Sequence, residues 1–161
     1  PPAPAGDLIR NGGFETEGGW TFPWTPRQAH YTTDRAHSGT RAAVAGITDP
    51  AQDRFSYSSV VQKVTIPADA RKATLTAYLY PVSQDIPGVD VQLALVLDRN
   101  FRVVQTLWRG LSNAGTWQQH TFDLSRYAGQ TIYVYFGAVN VRTNGKVTAL
   151  YVDDVSLVIE K

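Results

Sequence analysis

The chain contains no cysteine. That excludes both a disulfide framework and thiolate chemistry. No apolar run approaches the ~20 residues that a membrane-spanning helix needs. Neither sign of charge dominates: 15 basic residues stand against 14 acidic ones, for a net charge of +1. Nucleic acid is therefore not an expected partner, because phosphate binding calls for a basic stripe. Sustained helical periodicity is missing throughout. So are the common catalytic signatures: G-x-S-x-G, H-E-x-x-H, the P-loop and the dinucleotide fingerprint. His30, His37 and His120 lack metal-ligand spacing and read as surface or satisfied polar side chains. Carboxylate pairs such as Asp90 and Asp98 carry no glycosidase signature beyond what any sheet protein offers. The chain is not expected to be an enzyme. With only three glutamates among many Thr, Ser, Tyr and Gly residues, it tilts toward an extracellular β-protein.

What remains is strand signal. At 161 residues with 43% apolar and 18% charged residues, the chain fits one globular domain. Pro1-Pro2-Ala3-Pro4-Ala5-Gly6 reads as a semi-rigid linker, which leaves residues 7–161 as a single domain and predicts other domains of the same chain as partners. Residues 56–66 are long, β-branched and closed by Pro67. Residues 73–80 alternate, with Leu75, Ala77 and Leu79 on one face and Thr74, Thr76, Tyr78 and Tyr80 on the other. Residues 89–97 alternate likewise, Val91, Leu93, Leu95 and Leu97 against Asp90, Gln92, Ala94 and Val96. Further strands are expected at 102–108, 117–122, 130–139 and 146–159, with one helical turn at 123–129. Nine or ten strands separated by turns predict an all-β, antiparallel sandwich or barrel.

Two adjacent acids, Asp153 and Asp154, sit inside the last of these strands. Neighbouring carboxylates repel unless something compensates them. A cation shared with Glu15 would do so and would tie the first strand to the last. Alternation places Asp153 inward, on the face of Val155 and Leu157. The alternative is that Asp153 caps backbone amides or pairs with Arg41, with no metal present.

Several motifs in order resemble a known family. They are Asn11-Gly12-Gly13-Phe14-Glu15 with Gly19-Trp20, His37-Ser38-Gly39-Thr40-Arg41, Gln62-Lys63-Val64-Thr65-Ile66-Pro67, the stretch from Trp117 to Thr131, and Val152-Asp153-Asp154-Val155-Ser156-Leu157. Together they resemble galactose-binding-like jelly rolls, including bacterial carbohydrate-binding modules of the xylan- and glucan-binding kind. The resemblance implies a jelly-roll β-sandwich and a structural calcium joining the termini. Its ligands would be the carboxylates of Glu15 and Asp153 and the carbonyls of Gly13 and Thr40, with Asp154 the alternative to Asp153. His37 stands where some relatives place an acidic ligand, and a carbonyl or water would replace it. Trp20 and Trp117 fall at positions that pack in the core of such folds.

A second candidate site is a sheet face. If Leu75, Leu79, Leu93, Leu95, Val134 and Phe136 build the core, the opposite face carries Tyr78, Tyr80, Asp90, Gln92, Tyr133 and Tyr135. Aromatic rings stack on the C–H face of a pyranose, and amides and acids bond its hydroxyls. The same rings could equally be strand packing under a second layer. Trp24, in a Pro-bounded loop, and Trp108, at a strand end, complete the ligand candidates. The expected function is a non-catalytic, secreted or cell-surface, monomeric module binding a polysaccharide or glycan. The competing expectation is a calcium-stabilised structural or protein-interaction accessory domain of an exported peptidase or surface protein.

Overall fold

Two antiparallel sheets face each other across one apolar core. The computed structural model describes residues 6–141 and 143–161, so the linker expected at residues 1–6 lies outside them apart from Gly6. The strands are β1 (His30–Thr32), β2 (Ala42–Gly46), β3 (Ser56–Thr65), β4 (Lys72–Ser83), β5 (Val91–Leu97), β6 (Val103–Gly110), β7 (Gln118–Asp123), β8 (Thr131–Asn140) and β9 (Thr148–Glu160). A five-stranded sheet runs β1-β2-β9-β4-β7, and a four-stranded sheet runs β3-β8-β5-β6. The expected helical turn is a short 3-10 turn at Ser125–Tyr127. Among the described residues no helix is long and apolar enough to cross a membrane.

Alternation builds the five-stranded layer and is unbroken along β4. Along β4, Leu75, Ala77 and Leu79 are fully buried between the sheets, while Thr74, Thr76, Tyr78 and Tyr80 point away from them. Leu150, Val152, Val155 and Leu157 of β9 complete the inner surface. Each buried leucine contributes about 2 kcal/mol of transfer free energy.

In the four-stranded layer β5 faces the other way from the expected orientation. Ala94 and Val96 enter the core, and Leu93 and Leu95 turn outward. The partner strand decides this. Phe136 and Val134 of β8 fill the core, and β5 pairs Ala94 with Phe136 and Val96 with Val134. Residues directly opposite in an antiparallel pair share a face. The larger side chains therefore lose the inner position to register. Leu95 and Leu97 are nonetheless buried on the outer side, where they pair with Tyr135 and Tyr133.

The opening motif is a compact staple. Asn11 takes a left-handed conformation (φ 53°), and its amide donates to the carbonyls of Thr16 (2.7 Å) and Gly18 (2.8 Å). Its own carbonyl accepts from Trp20 Nε1 at 2.8 Å. That holds Trp20 against Phe14, ring on ring at 4.7 Å, inside the core. The segment then runs beside β9: Leu8 N–H donates to Leu157 O (2.9 Å), and Val155 N–H to Gly12 O (3.0 Å). Only glycine fits at position 12, because a Cβ there would lie 2.0 Å from the Val155 carbonyl oxygen.

Candidate functional site

A β-bulge shapes the first candidate site. Pairing between β4 and β9 slips between Thr76 and Tyr78, and Asp154 adopts φ 47°. The extra residue resets the alternation. Val152 and Val155 both point inward, and Asp153 lies opposite Tyr78 on the outer side of the sheet. The inward placement expected for Asp153 is thus corrected. Asp153 is fully buried all the same, because the loop of residues 33–41 folds over it. Its Oδ2 accepts from the backbone N–H of His37 (2.8 Å) and Ser38 (3.2 Å), and its Oδ1 from Asp154 N–H (2.8 Å). Burial, and then the neighbouring Asp154 charge, push its pKa up from 3.8 to about 7 against those bonds.

Glu15 grips the other end of the same loop. Its Oε1 accepts from Thr40 N–H (2.8 Å) and Thr40 Oγ1 (3.2 Å), and its Oε2 from Arg41 N–H (2.9 Å). Those bonds, led by the Thr40 amide, hold the Glu15 carboxyl below its ordinary range. Gly39 (φ 64°) has no room for a side chain, since a Cβ would sit 2.5 Å from the Glu15 carboxylate. Asp154 accepts from Ser38 Oγ (2.7 Å), and its Oδ2 lies 2.6 Å from His37 Nδ1. Three carboxylates from the two chain ends therefore clasp one loop, chiefly through backbone amides. Arg41 does not pair with Asp153; its guanidinium meets Glu17 at 2.9 Å. Gly13 lies close to both Glu15 and Asp154. These donors are hard oxygens, the chemistry calcium selects, and the Asp153–Asp154 repulsion is what a cation would offset. Among the described residues no three His, Asp or Glu side chains converge at metal-binding spacing, so a cation here would draw most of its shell from carbonyls and water.

The second candidate site lies on the outer face of the five-stranded sheet. Tyr80 meets Trp117 edge-on at 5.4 Å and Tyr151 at 5.8 Å. The His37 ring stacks on Tyr78 at 3.7 Å and approaches Trp117 edge-on at 5.8 Å. Val44, Ala149 and Tyr151 form a small apolar cluster beneath, separate from the main core. Trp117 was expected in that main core and instead lies on this face, half-buried against Tyr80. Its place is legible in the pairing: Gln119 opposes Tyr78 and Thr121 opposes Thr76, so position 117 continues the outward series. Arg35 and Tyr151 were not anticipated. Arg35 sits in the covering loop with its guanidinium 4.2 Å from the centre of the Tyr80 ring.

The remaining candidates scatter. Tyr133 and Tyr135 lie on the outer face of the four-stranded sheet, away from Tyr78 and Tyr80, since each pair belongs to a different sheet. Tyr133 meets Phe101 edge-on at 5.0 Å. The Tyr135 ring lies over Gly137, whose Cβ would fall 2.8 Å from it. Asp90 and Gln92 leave the expected face altogether, because β5 is turned over. Asp90 is buried and accepts from Val141 N–H (2.9 Å) and Thr148 Oγ1 (2.7 Å), and burial raises its pKa. Gln92 donates to the carbonyls of Val82, Ser112 and Ala149 and accepts from Ser112 N–H. Both are structural crossties out of a ligand's reach. Trp108 pairs with Ala94 of β5 and packs on the core beside His120 (5.4 Å). Trp24 is 76% exposed, beside Thr25, whose hydroxyl meets Ser56 at 3.2 Å.

No protein-family model matches the chain, and no curated protein matches its sequence. Solved structures do match in fold. A family 61 carbohydrate-binding module in complex with β-1,4-galactotriose aligns with TM-score 0.66 at 16% identity, over 96% of this chain and 99% of that one. The C-terminal family 22 carbohydrate-binding module of Clostridium thermocellum Xyn10B aligns with TM-score 0.64 at 12% identity, covering 97% and 95%. The K1 cleaved adhesin domain of Lys-gingipain from Porphyromonas gingivalis W83 aligns with TM-score 0.62 at 11% identity, covering 88% and 91%. Likeness at such low identity speaks to architecture, and the chain is an antiparallel jelly-roll β-sandwich of the kind found in carbohydrate-binding modules.

Proposed function

We propose that this chain is a non-catalytic carbohydrate-binding module of a secreted multidomain protein. The carrying observation is the half-buried Trp117 on the outer face of the five-stranded sheet, set apart from the core and grouped with Tyr80 and Tyr78, on whose rings Arg35 and His37 already lie. The exposed amide of Gln119 flanks them. Rings supply stacking for a pyranose, and hydroxyl and amide groups supply hydrogen bonds to its rim. Holding a partner domain near its polymer raises the local concentration of substrate. Affinity electrophoresis against a panel of plant and microbial polysaccharides tests this. Retention by at least one polymer is expected, and Trp117→Ala is expected to weaken it about tenfold, the loss of roughly one stacked ring. Tyr135→Ala, on the other sheet, is expected to leave retention unchanged. Absence of retention on every polymer would defeat the proposal.

A structural calcium ion belongs to the same reading. The carboxylates of Glu15 and Asp153 and the carbonyls of Gly13 and Thr40 would hold it, binding the two chain ends to the covering loop. Thermal unfolding in chelator and in added calcium is the measurement. At a hundredfold excess over the dissociation constant the ion is expected to add about 2.7 kcal/mol. An unchanged midpoint would leave the hydrogen-bonded clasp as the whole fastening.

One observation favours the accessory-domain reading. Trp24, Phe55 and Tyr57 are 76%, 52% and 51% exposed, and Phe55 meets Tyr57 edge-on at 5.8 Å. Apolar surface of this kind suits a protein neighbour. A Trp24→Ala variant that loses a protein contact while keeping glycan retention would separate the two roles.

A further inference from the structure

We infer that the outer face of the five-stranded sheet selects acidic glycans, those whose sugars carry carboxylates; this rests on the glycan-binding reading above. The carrier is Arg35. Its guanidinium lies over two rings at once, 4.2 Å from the centre of Tyr80 and 4.8 Å from that of Tyr151. Its Nε is buried without a hydrogen-bond partner. Among the described residues no carboxylate forms an ion pair with it. Arg41, on the same loop, shows the contrast, paired with Glu17 at 2.9 Å and stacked on Tyr31. Asp154, the acid beneath the loop, is engaged by His37 and Ser38.

An arginine held this way is a cation with donors unspent. Stacking fixes the plane of the guanidinium, and with Nε buried it is the edge of the two terminal nitrogens that is left to meet a ligand. That edge is a fork of N–H donors matched to a carboxylate in two-point contact, and it stays charged at any working pH. Trp117 stands 5.4 Å from Tyr80, so a sugar stacked on Trp117 brings a carboxylate at its rim toward the fork. A neutral sugar fills the same aromatic space and leaves the cation desolvated and unpaired, which costs affinity.

The test compares one sugar skeleton with and without charge: short oligogalacturonides and their methyl esters, titrated calorimetrically at low and at moderate salt. The acid form is expected to bind about tenfold tighter at low salt, with the preference shrinking as salt rises. Arg35→Gln is expected to abolish the preference, and Arg35→Lys, which keeps the charge but not the fork, to retain part of it. Unfolding midpoints of both variants confirm that the sheet is intact. Equal binding of acid and ester, or a preference that survives in Arg35→Gln, overturns the inference. Retention on neutral xylan or galactan without acid preference overturns it while leaving the glycan reading in place. Failure to bind any polysaccharide removes both.

Discussion

Replacing Gly12 by alanine is expected to lower the unfolding free energy by about 3 kcal/mol, as severe overpacking does. The added methyl would stand 2.0 Å from the Val155 carbonyl oxygen, which belongs to the backbone of β9 and cannot rotate aside. Relief requires the opening segment to part from β9, with loss of the 3.0 Å bond from Val155 N–H to Gly12 O. The neighbouring position is the control. A Cβ on Gly13 would meet Asp154 and Glu15 side-chain atoms at 3.7 and 3.8 Å, ordinary contact distances. Gly13→Ala is expected to change stability by less than about 1 kcal/mol. Urea unfolding of the two variants side by side measures the difference. Equal midpoints would mean that the opening segment is not pressed against β9.

Asp153 sets the second large effect, in its pH dependence. Its carboxyl has an ordinary value of 3.8 and rises to about 7 in the fold, through burial and then the charge of Asp154. Between those values the folded protein keeps a proton that the unfolded chain has released. The contribution is therefore complete below about pH 4 and is lost as pH climbs toward 7. In chelator, stability is expected to fall over that window by on the order of 4 kcal/mol. Saturating calcium would take the place of the proton, so the slope is expected to flatten when the ion is present. Asp153→Asn is expected to be less stable at low pH, since its amide nitrogen cannot accept the N–H bonds that both carboxyl oxygens receive, and to show little slope. Chemical denaturation at half-unit steps of pH, with and without calcium, measures both. A wild-type profile without slope in chelator would place the carboxyl at its ordinary value.

The sandwich was readable because its strands alternate over long stretches and turns divide them. β4, with Leu75, Ala77 and Leu79 inward, reads directly. β5 does not, because Leu93, Ala94, Leu95 and Val96 are all apolar and periodicity cannot choose between the faces; the pairing with Phe136 chooses. The site suffers from the same gap. Alternation turns Tyr78 and Tyr80 away from the core, as in the structure, but alternation within single strands does not say which sheet a strand joins, so sequence alone cannot separate them from Tyr133 and Tyr135. Asp153 was misplaced by a bulge at Asp154 (φ 47°), an extra residue whose position no alternation rule reveals. Arg35 was invisible for another reason. A loop cation gains meaning only when tertiary structure lays it on Tyr80 and Tyr151.

β9 occupies the centre of the five-stranded sheet, hydrogen-bonded to β2 on one side and β4 on the other. It is also the last of the nine strands in chain order. β1 and β2 can pair early, and so can β4 and β7, but the two ribbons stay separate until residues 148–160 arrive to insert between them. Such non-local closure is slow, on the order of milliseconds to seconds, and in the interval both ribbons expose unpaired edges. Nascent chains of this fold are then most vulnerable to mispairing with one another just before synthesis of the domain is finished.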